Sequence, residues 1–155
     1  MSGAARIGAA VPQTGENDLL RIPKSLIAEM ITHALDTDPE ECCGLLLGKD
    51  SSVTVGRRVT NTHENKVSRY TMDPLEVMKV EREADAIGEE LVAIYHSHTY
   101  TQGYPSETDV RNAVESGWDG RHYVLVSLVE KTRPVVRAFW IADGGEISEV
   151  FLKVE

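Results

Sequence analysis

The run Leu91-Val92-Ala93-Ile94-Tyr95 leads straight into His96-Ser97-His98, and seven residues further on the chain reads Ser106-Glu107-Thr108-Asp109. If the apolar run is a β-strand, its side chains alternate between faces, so His96 and His98 point the same way and Ser97 the other. Gly103 and Pro105 favour a loop, and Ser106 to Asp109 reads as the start of a helix running through Val114. On that helix Ser106 and Asp109 share one face. A strand end and a helix start so close in sequence can bring two imidazoles and a carboxylate onto one ion and leave a fourth position open. That open arrangement belongs to catalytic rather than structural zinc. Each half alone has an ordinary explanation, since His-x-His is often a surface pair and Ser-x-x-Asp is close to a helix capping box. Their conjunction at this spacing favours the metal.

The same words resemble the JAMM (MPN+) metalloprotease family, whose pattern is a distant Glu, then His-Ser/Thr-His, seven residues, and Ser-x-x-Asp. His96, Ser97, His98, Ser106 and Asp109 fill it without insertion. The family's glutamate precedes a Cys-Gly and an apolar strand. Here Glu41-Cys42-Cys43-Gly44-Leu45-Leu46-Leu47 supplies those words and makes Glu41 the candidate, with Glu40 its neighbour. The resemblance covers roughly residues 20–155. It implies an α/β fold, a JAMM/MPN-like (cytidine-deaminase-like) curved mixed β-sheet flanked by helices. It also implies one catalytic Zn2+ on His96, His98 and Asp109, with Glu41 as proton carrier and Ser106 as donor to the developing oxyanion.

Such enzymes hydrolyse amide or isopeptide bonds after the C-terminal Gly-Gly of ubiquitin or a ubiquitin-like protein. The compact chain, without room for long insertions, is similar to the small bacterial branch, in which a member releases cysteine from a ubiquitin-like sulfur carrier protein. The expected partner is therefore a carrier ending in Gly-Gly(-Cys), its tail extended beside Arg69 to Met72. Two alternatives stand beside this: an isopeptidase that removes ubiquitin-like modifiers from lysines, and a non-catalytic MPN scaffold.

Composition agrees with a small enzyme. A chain of 155 residues supports one domain, expected over 19–155, behind a disordered N-terminal arm over 1–18. No apolar run approaches the roughly 20 residues that span a bilayer, and no secretory signal is read in the first residues. A soluble protein with no membrane partner is expected. The adjacent Cys42 and Cys43 cannot easily form a disulfide with each other and suit a reducing, cytoplasmic setting; with no Cys-x-x-Cys, the zinc deaminase signature is missing. The formal charge of −9, with Arg57-Arg58 the one basic pair of note, argues against a nucleic-acid partner and for a protein. A homodimer is left open.

The remaining pattern alternates strands and helices. Leu19 to Pro23 reads as a strand and Lys24 to Leu35 as a helix with Leu26, Ile27, Met30, Ile31 and Ala34 inward. Glu41 to Gly48 and Ser52 to Thr60 read as a hairpin, which places Cys43 on the face of Glu41 and so near the metal, although a small buried apolar role is the better reading for it. Arg69 to Met72 reads as a short extended piece. Asp73-Pro74 caps a helix through Ile87 with Leu75, Met78, Val80 and Ala84 apolar. Arg121 to Leu128, Val135 to Ala142 and Ile147 to Val154 complete the strands. His33, His63 and His122 are read as surface or packed residues rather than ligands.

Overall fold

The computed structural model describes residues 17–155. The elements are β1 (Leu19–Ile22), α1 (Lys24–Thr37), β2 (Cys43–Lys49), β3 (Ser52–Val59), α2 (Pro74–Ala86), β4 (Glu90–His98), α3 (Glu107–Ser116), β5 (Arg121–Ser127), β6 (Val135–Ile141) and β7 (Ile147–Val154). Nearly all of the expected arm falls on residues outside those described. Each element that the alternation and the turn residues predict is present. Helix α1 runs two residues beyond the expected Leu35, and Arg69 to Met72 contributes only an isolated bridge, Asn61 to Met72.

The strands order as β1-β3-β2-β4-β5-β6-β7 and the sheet closes on itself. The expected curved mixed sheet thus bends until β1, parallel to both β3 and β7, joins its two edges. One parallel join matters for function. Strands β4 and β5 run parallel, and parallel neighbours need a crossover, which here is α3. The chain leaves the carboxyl end of β4 at His98 and begins α3 within a few residues, so the helix N-terminus sits over that strand end, the place where open α/β sheets bind ligands.

Apolar residues pack on both faces. Leu20, Met30, Leu46, Val92, Tyr95 and Val124 form the core against α1, while Leu45, Leu47, Val80, Ile94, Ala113 and Tyr123 form the core against α2 and α3. Ile94 therefore marks the face that His96 and His98 continue. Helix α2 corrects one expectation. Leu75 and Met78 are 70% and 45% exposed, and Val77 packs inward instead; Asp73 at the cap, accepting from the amides of Leu75 and Glu76, fixes the phase of the helix and turns Leu75 outward. Among the described residues no helix is long and apolar enough to cross a membrane.

Gly44 lies opposite Tyr95 across β2 and β4. A Cβ there would run into the Tyr95 ring and come within 2.6 Å of the Arg57 carbonyl oxygen. The Tyr95 hydroxyl in turn hydrogen-bonds His33 Nδ1 at 2.7 Å, and burial together with the Arg58 charge holds His33 neutral, its pKa down at about 4 despite Asp36. The strand that carries His96 is thus braced from both sides. Gly44→Ala is expected to cost about 1–3 kcal/mol, read as a lower midpoint in thermal denaturation.

Candidate metal centre and active site

At the carboxyl end of β4, His96 Nε2 and His98 Nε2 lie 3.2 Å apart, and Asp109 Oδ2 from the first turn of α3 lies 3.2 and 3.1 Å from them. Three ligand atoms each about 2.0–2.1 Å from a tetrahedral zinc stand roughly 3.3 Å from one another. The triangle fits a small divalent cation with one vertex uncovered, and it is the group of His, Cys, Asp and Glu that can hold a metal among the described residues. Cys43 is outside it: its Sγ donates to the Val59 carbonyl at 3.4 Å, and burial holds its thiol far above the usual range.

The three groups act on one another: against burial, the contacts with Asp109 and the Gln102 carbonyl raise the pKa of His98, whose added proton a bound cation would displace. Burial opposes the charge on Asp109, yet its contacts with His96, with His98 and with the Ser106 backbone N–H together hold its carboxyl far below the usual range. Burial holds His96 neutral. His98 Nδ1 is 2.8 Å from the Gln102 carbonyl oxygen, an acceptor that places a proton on Nδ1 and would leave Nε2 to face a cation in the triad. The His96 ring is stacked on Tyr70, centroids 4.4 Å apart.

Both readings of Ser-x-x-Asp hold at once. The Ser106 backbone N–H donates to Asp109 Oδ2 at 2.9 Å and the Asp109 N–H donates to Ser106 Oγ at 3.0 Å, a complete capping box. The oxygen that closes the box is the one that faces the two histidines, so the cap aims the carboxylate at them. The Ser106 hydroxyl accepts within the box, and its own hydrogen stays available to a substrate.

Glu41 sits just before β2, 5% exposed. Burial, reinforced by Asp109 and opposed by the His98 and Arg69 charges, pushes its carboxyl up to about 8. A cation in the triad would pull it back down. Its Oε1 is buried with no hydrogen-bond partner among the described residues, so no protein donor weakens it as a base. Ser97, on the opposite strand face as expected, accepts the Cys42 N–H on its Oγ at 2.8 Å and donates its backbone N–H to the Cys42 carbonyl at 3.1 Å. It ties the Glu41 segment to the strand of the histidines.

Other contributors lie in polar stretches without a periodic signal. Arg69 donates to Thr108 Oγ1 at 3.1 Å, Thr99 Oγ1 to the Val67 carbonyl at 3.3 Å, and Tyr70 covers His96. Beside Tyr70 a groove of about 650 Å³ is lined by Thr71, Met72, Val77, Trp118 and Tyr123 among others. Trp118 thus lines a groove. His122 is buried against Trp140 and near the Asn17 carbonyl, a packed residue as expected, and His63 stays in its loop.

A strand-end pair of histidines, an aspartate aimed by a helix cap, and a buried carboxyl beside them form a site whose donors could hold a metal ion. Residues 23–142 match the family described as prokaryotic homologs of the JAB domain, and the chain belongs to it. It is similar to the CysO-cysteine peptidase of Mycobacterium tuberculosis, with 38% identity over 138 residues, 88% of this chain and 92% of that protein. A probable TtuB-protein conjugate cleaving protease of Thermus thermophilus is 31% identical over 140 residues, 86% of this chain and 84% of its own length. Among solved structures, protein DSY2949 of Desulfitobacterium hafniense superposes with a TM-score of 0.77 at 28% identity, covering 88% of this chain and 92% of that one. The chain is a JAB-type hydrolase with the fold its sequence pattern predicts.

Proposed function

We propose that this chain is a zinc-dependent hydrolase that cleaves the amide bond after the C-terminal Gly-Gly of a ubiquitin-like sulfur carrier protein and releases cysteine. The observation that carries the reading is the convergence of His96, His98 and Asp109 with one vertex open, beside a buried Glu41. The similarity to a CysO-cysteine peptidase supports the substrate. Zinc held by the triad supplies Lewis acidity to the scissile carbonyl and to the attacking water.

The protein's own groups do the rest. Glu41 takes the proton of the water and returns it to the departing amine of cysteine. Ser106 donates its free hydroxyl hydrogen to the oxyanion that forms on the carbonyl carbon. The carrier tail lies extended along Arg69 to Met72, adding backbone hydrogen bonds on the groove side of Tyr70.

Incubation of the zinc-loaded protein with a carrier ending in Gly-Gly-Cys and, separately, with a lysine-linked conjugate tests the substrate. Release of free cysteine is the expected result; cleavage of the lysine conjugate alone overturns the reading. The similarity to a TtuB-conjugate protease makes that isopeptidase the second reading. A protein that neither holds zinc as purified nor takes it up would be a scaffold.

Ser106 has its own expected result. Ser106→Ala removes an oxyanion donor and should lower kcat by about 10² to 10³-fold with zinc content unchanged. The lost cap costs about 1 kcal/mol besides, visible in thermal denaturation. Unaltered kcat in that variant would remove Ser106 from the chemistry.

A further inference from the structure

Asn61, in the segment between β3 and α2, is a buried asparagine, 8% exposed. Its carboxamide makes four hydrogen bonds. Nδ2 donates to the carbonyl oxygens of Glu41 and Arg69, both at 3.0 Å, and Oδ1 accepts the backbone N–H groups of His63 at 3.0 Å and Thr71 at 3.1 Å. Two donor hydrogens and two lone pairs are the whole capacity of the group. A flipped amide would set donor against donor and acceptor against acceptor, so its orientation is fixed. All four partners are backbone.

The arrangement imitates a strand. Asn61 and Met72 face each other across an antiparallel bridge, with the Thr62 N–H on the Thr71 carbonyl at 2.8 Å and the Asp73 N–H on the Thr60 carbonyl at 3.0 Å. The bridge ends there. Beyond it the side chain of Asn61 acts in place of a peptide group, pairing with the Arg69 carbonyl and the Thr71 N–H. Residues 69, 71 and 73 thus spend their inward backbone groups within the protein. By strand alternation the groups of Tyr70 and Met72 point the other way, and their N–H groups have no backbone partner among the described residues. The same carboxamide holds the carbonyl of Glu41, whose N–H donates to the Lys66 carbonyl at 2.7 Å.

We propose that Asn61 is a positioning residue that locks the Glu41 segment and the strip 69–72 into one register, so that the free edge at Tyr70 and Met72 presents an extended peptide in line with the proton carrier. The proposal rests on the reading that a carrier tail lies along this strip. It assigns one side chain to both steps: tail alignment through Thr71 and Arg69, and base placement through Glu41. A displacement of about 1 Å at a reacting group can cost on the order of a hundredfold in rate.

Two variants separate the parts. Asn61→Ala removes all four bonds; Asn61→Asp keeps the acceptors for His63 and Thr71 but sets oxygen against the carbonyls of Glu41 and Arg69. Both are expected to bind zinc as the wild type does and to lose about tenfold to a hundredfold in kcat on the Gly-Gly-Cys carrier. The KM is expected to rise more in Asn61→Ala than in Asn61→Asp, because the Thr71 tie survives only in the latter. A group that merely supports the fold would lower kcat in proportion to the folded fraction and leave KM unchanged.

Amide hydrogen exchange on the wild-type protein checks the same geometry without any variant. The Thr71 amide should be protected and those of Tyr70 and Met72 open, the latter two gaining protection when a non-hydrolysable carrier tail binds. Activities of both folded variants within about twofold of wild type, or a Thr71 amide that exchanges as fast as that of Tyr70, would overturn the proposal. A wild type that cleaves only the lysine conjugate refutes the substrate reading and not this one, because the Asn61 variants are then measured on that conjugate.

Discussion

Glu41→Gln is expected to give a folded protein that takes up zinc and turns over about 10² to 10⁴-fold more slowly, the span that a positioned proton carrier contributes. The amide fills the volume of the carboxyl but cannot accept a proton from water. Because Glu41 stands outside the His96, His98 and Asp109 group, metal content should not fall with activity. A variant with near wild-type kcat would take Glu41 out of the reaction.

The pH dependence of stability gives an independent reading of the same residue. In the metal-free protein burial raises the Glu41 carboxyl to about 8, from an ordinary glutamate value of about 4.3. The folded state therefore binds this proton more tightly than the unfolded state does. That contribution to stability is complete below about pH 4.3 and is lost as pH rises through about 8. Gln at this position never ionises. Metal-free Glu41→Gln should gain on metal-free wild type in denaturation midpoint as pH climbs across that window. Saturation with zinc should shrink the gap, since a cation stabilises the carboxylate. A gap that stays constant with pH would mean that Glu41 is not held protonated by its surroundings.

The sequence disclosed the cluster of His96, His98 and Asp109 because the two geometries that gather it are periodic. Alternation on β4 puts His96 and His98 on the Ile94 face, and the cap at Ser106 fixes where α3 begins. The strands and helices were legible for similar reasons, down to Asp73-Pro74 at the start of α2. Closure of the sheet was not, because β1 offers only four residues and nothing in them says which edges they join. Leu75 and Met78 misled because apolar type was read without the rotation that the Asp73 cap imposes. The strip from Asn61 to Met72 was hardest. Its order comes from side chains bonded to distant backbone, Asn61 on Glu41 and Arg69 on Thr108, and such bonds leave no period in a sequence. Glu41 itself was found only through the family pattern, since a glutamate before an apolar strand is otherwise unremarkable.

In the proposed metal site Asp109 would perform two tasks on one oxygen, and a pair of substitutions should pull them apart. Asp109→Asn keeps an oxygen able to accept the Ser106 N–H but loses the charge that a cation needs; Asp109→Ala loses both. Zinc at about 100 times its Kd adds about 2.7 kcal/mol to the stability of a protein that binds it only when folded. For a chain of this size that raises the thermal midpoint by about 5–10 °C. Wild type should show that rise and both variants should lack it, with activity on any Gly-Gly conjugate falling by more than the tenfold to hundredfold, on the order of 10 to 10², that follows loss of an outer partner of a ligand. Without zinc the two variants should differ from each other, Asp109→Ala melting lower by the worth of the cap, about 1 kcal/mol. The contrast follows from the capping box: the first turn of α3 is held by the Ser106 and Asp109 exchange whether or not an ion is present, whereas the ion is expected to need the Asp109 carboxylate beside His96 and His98. A zinc-induced rise in either variant equal to that of wild type would show that the cation is held elsewhere.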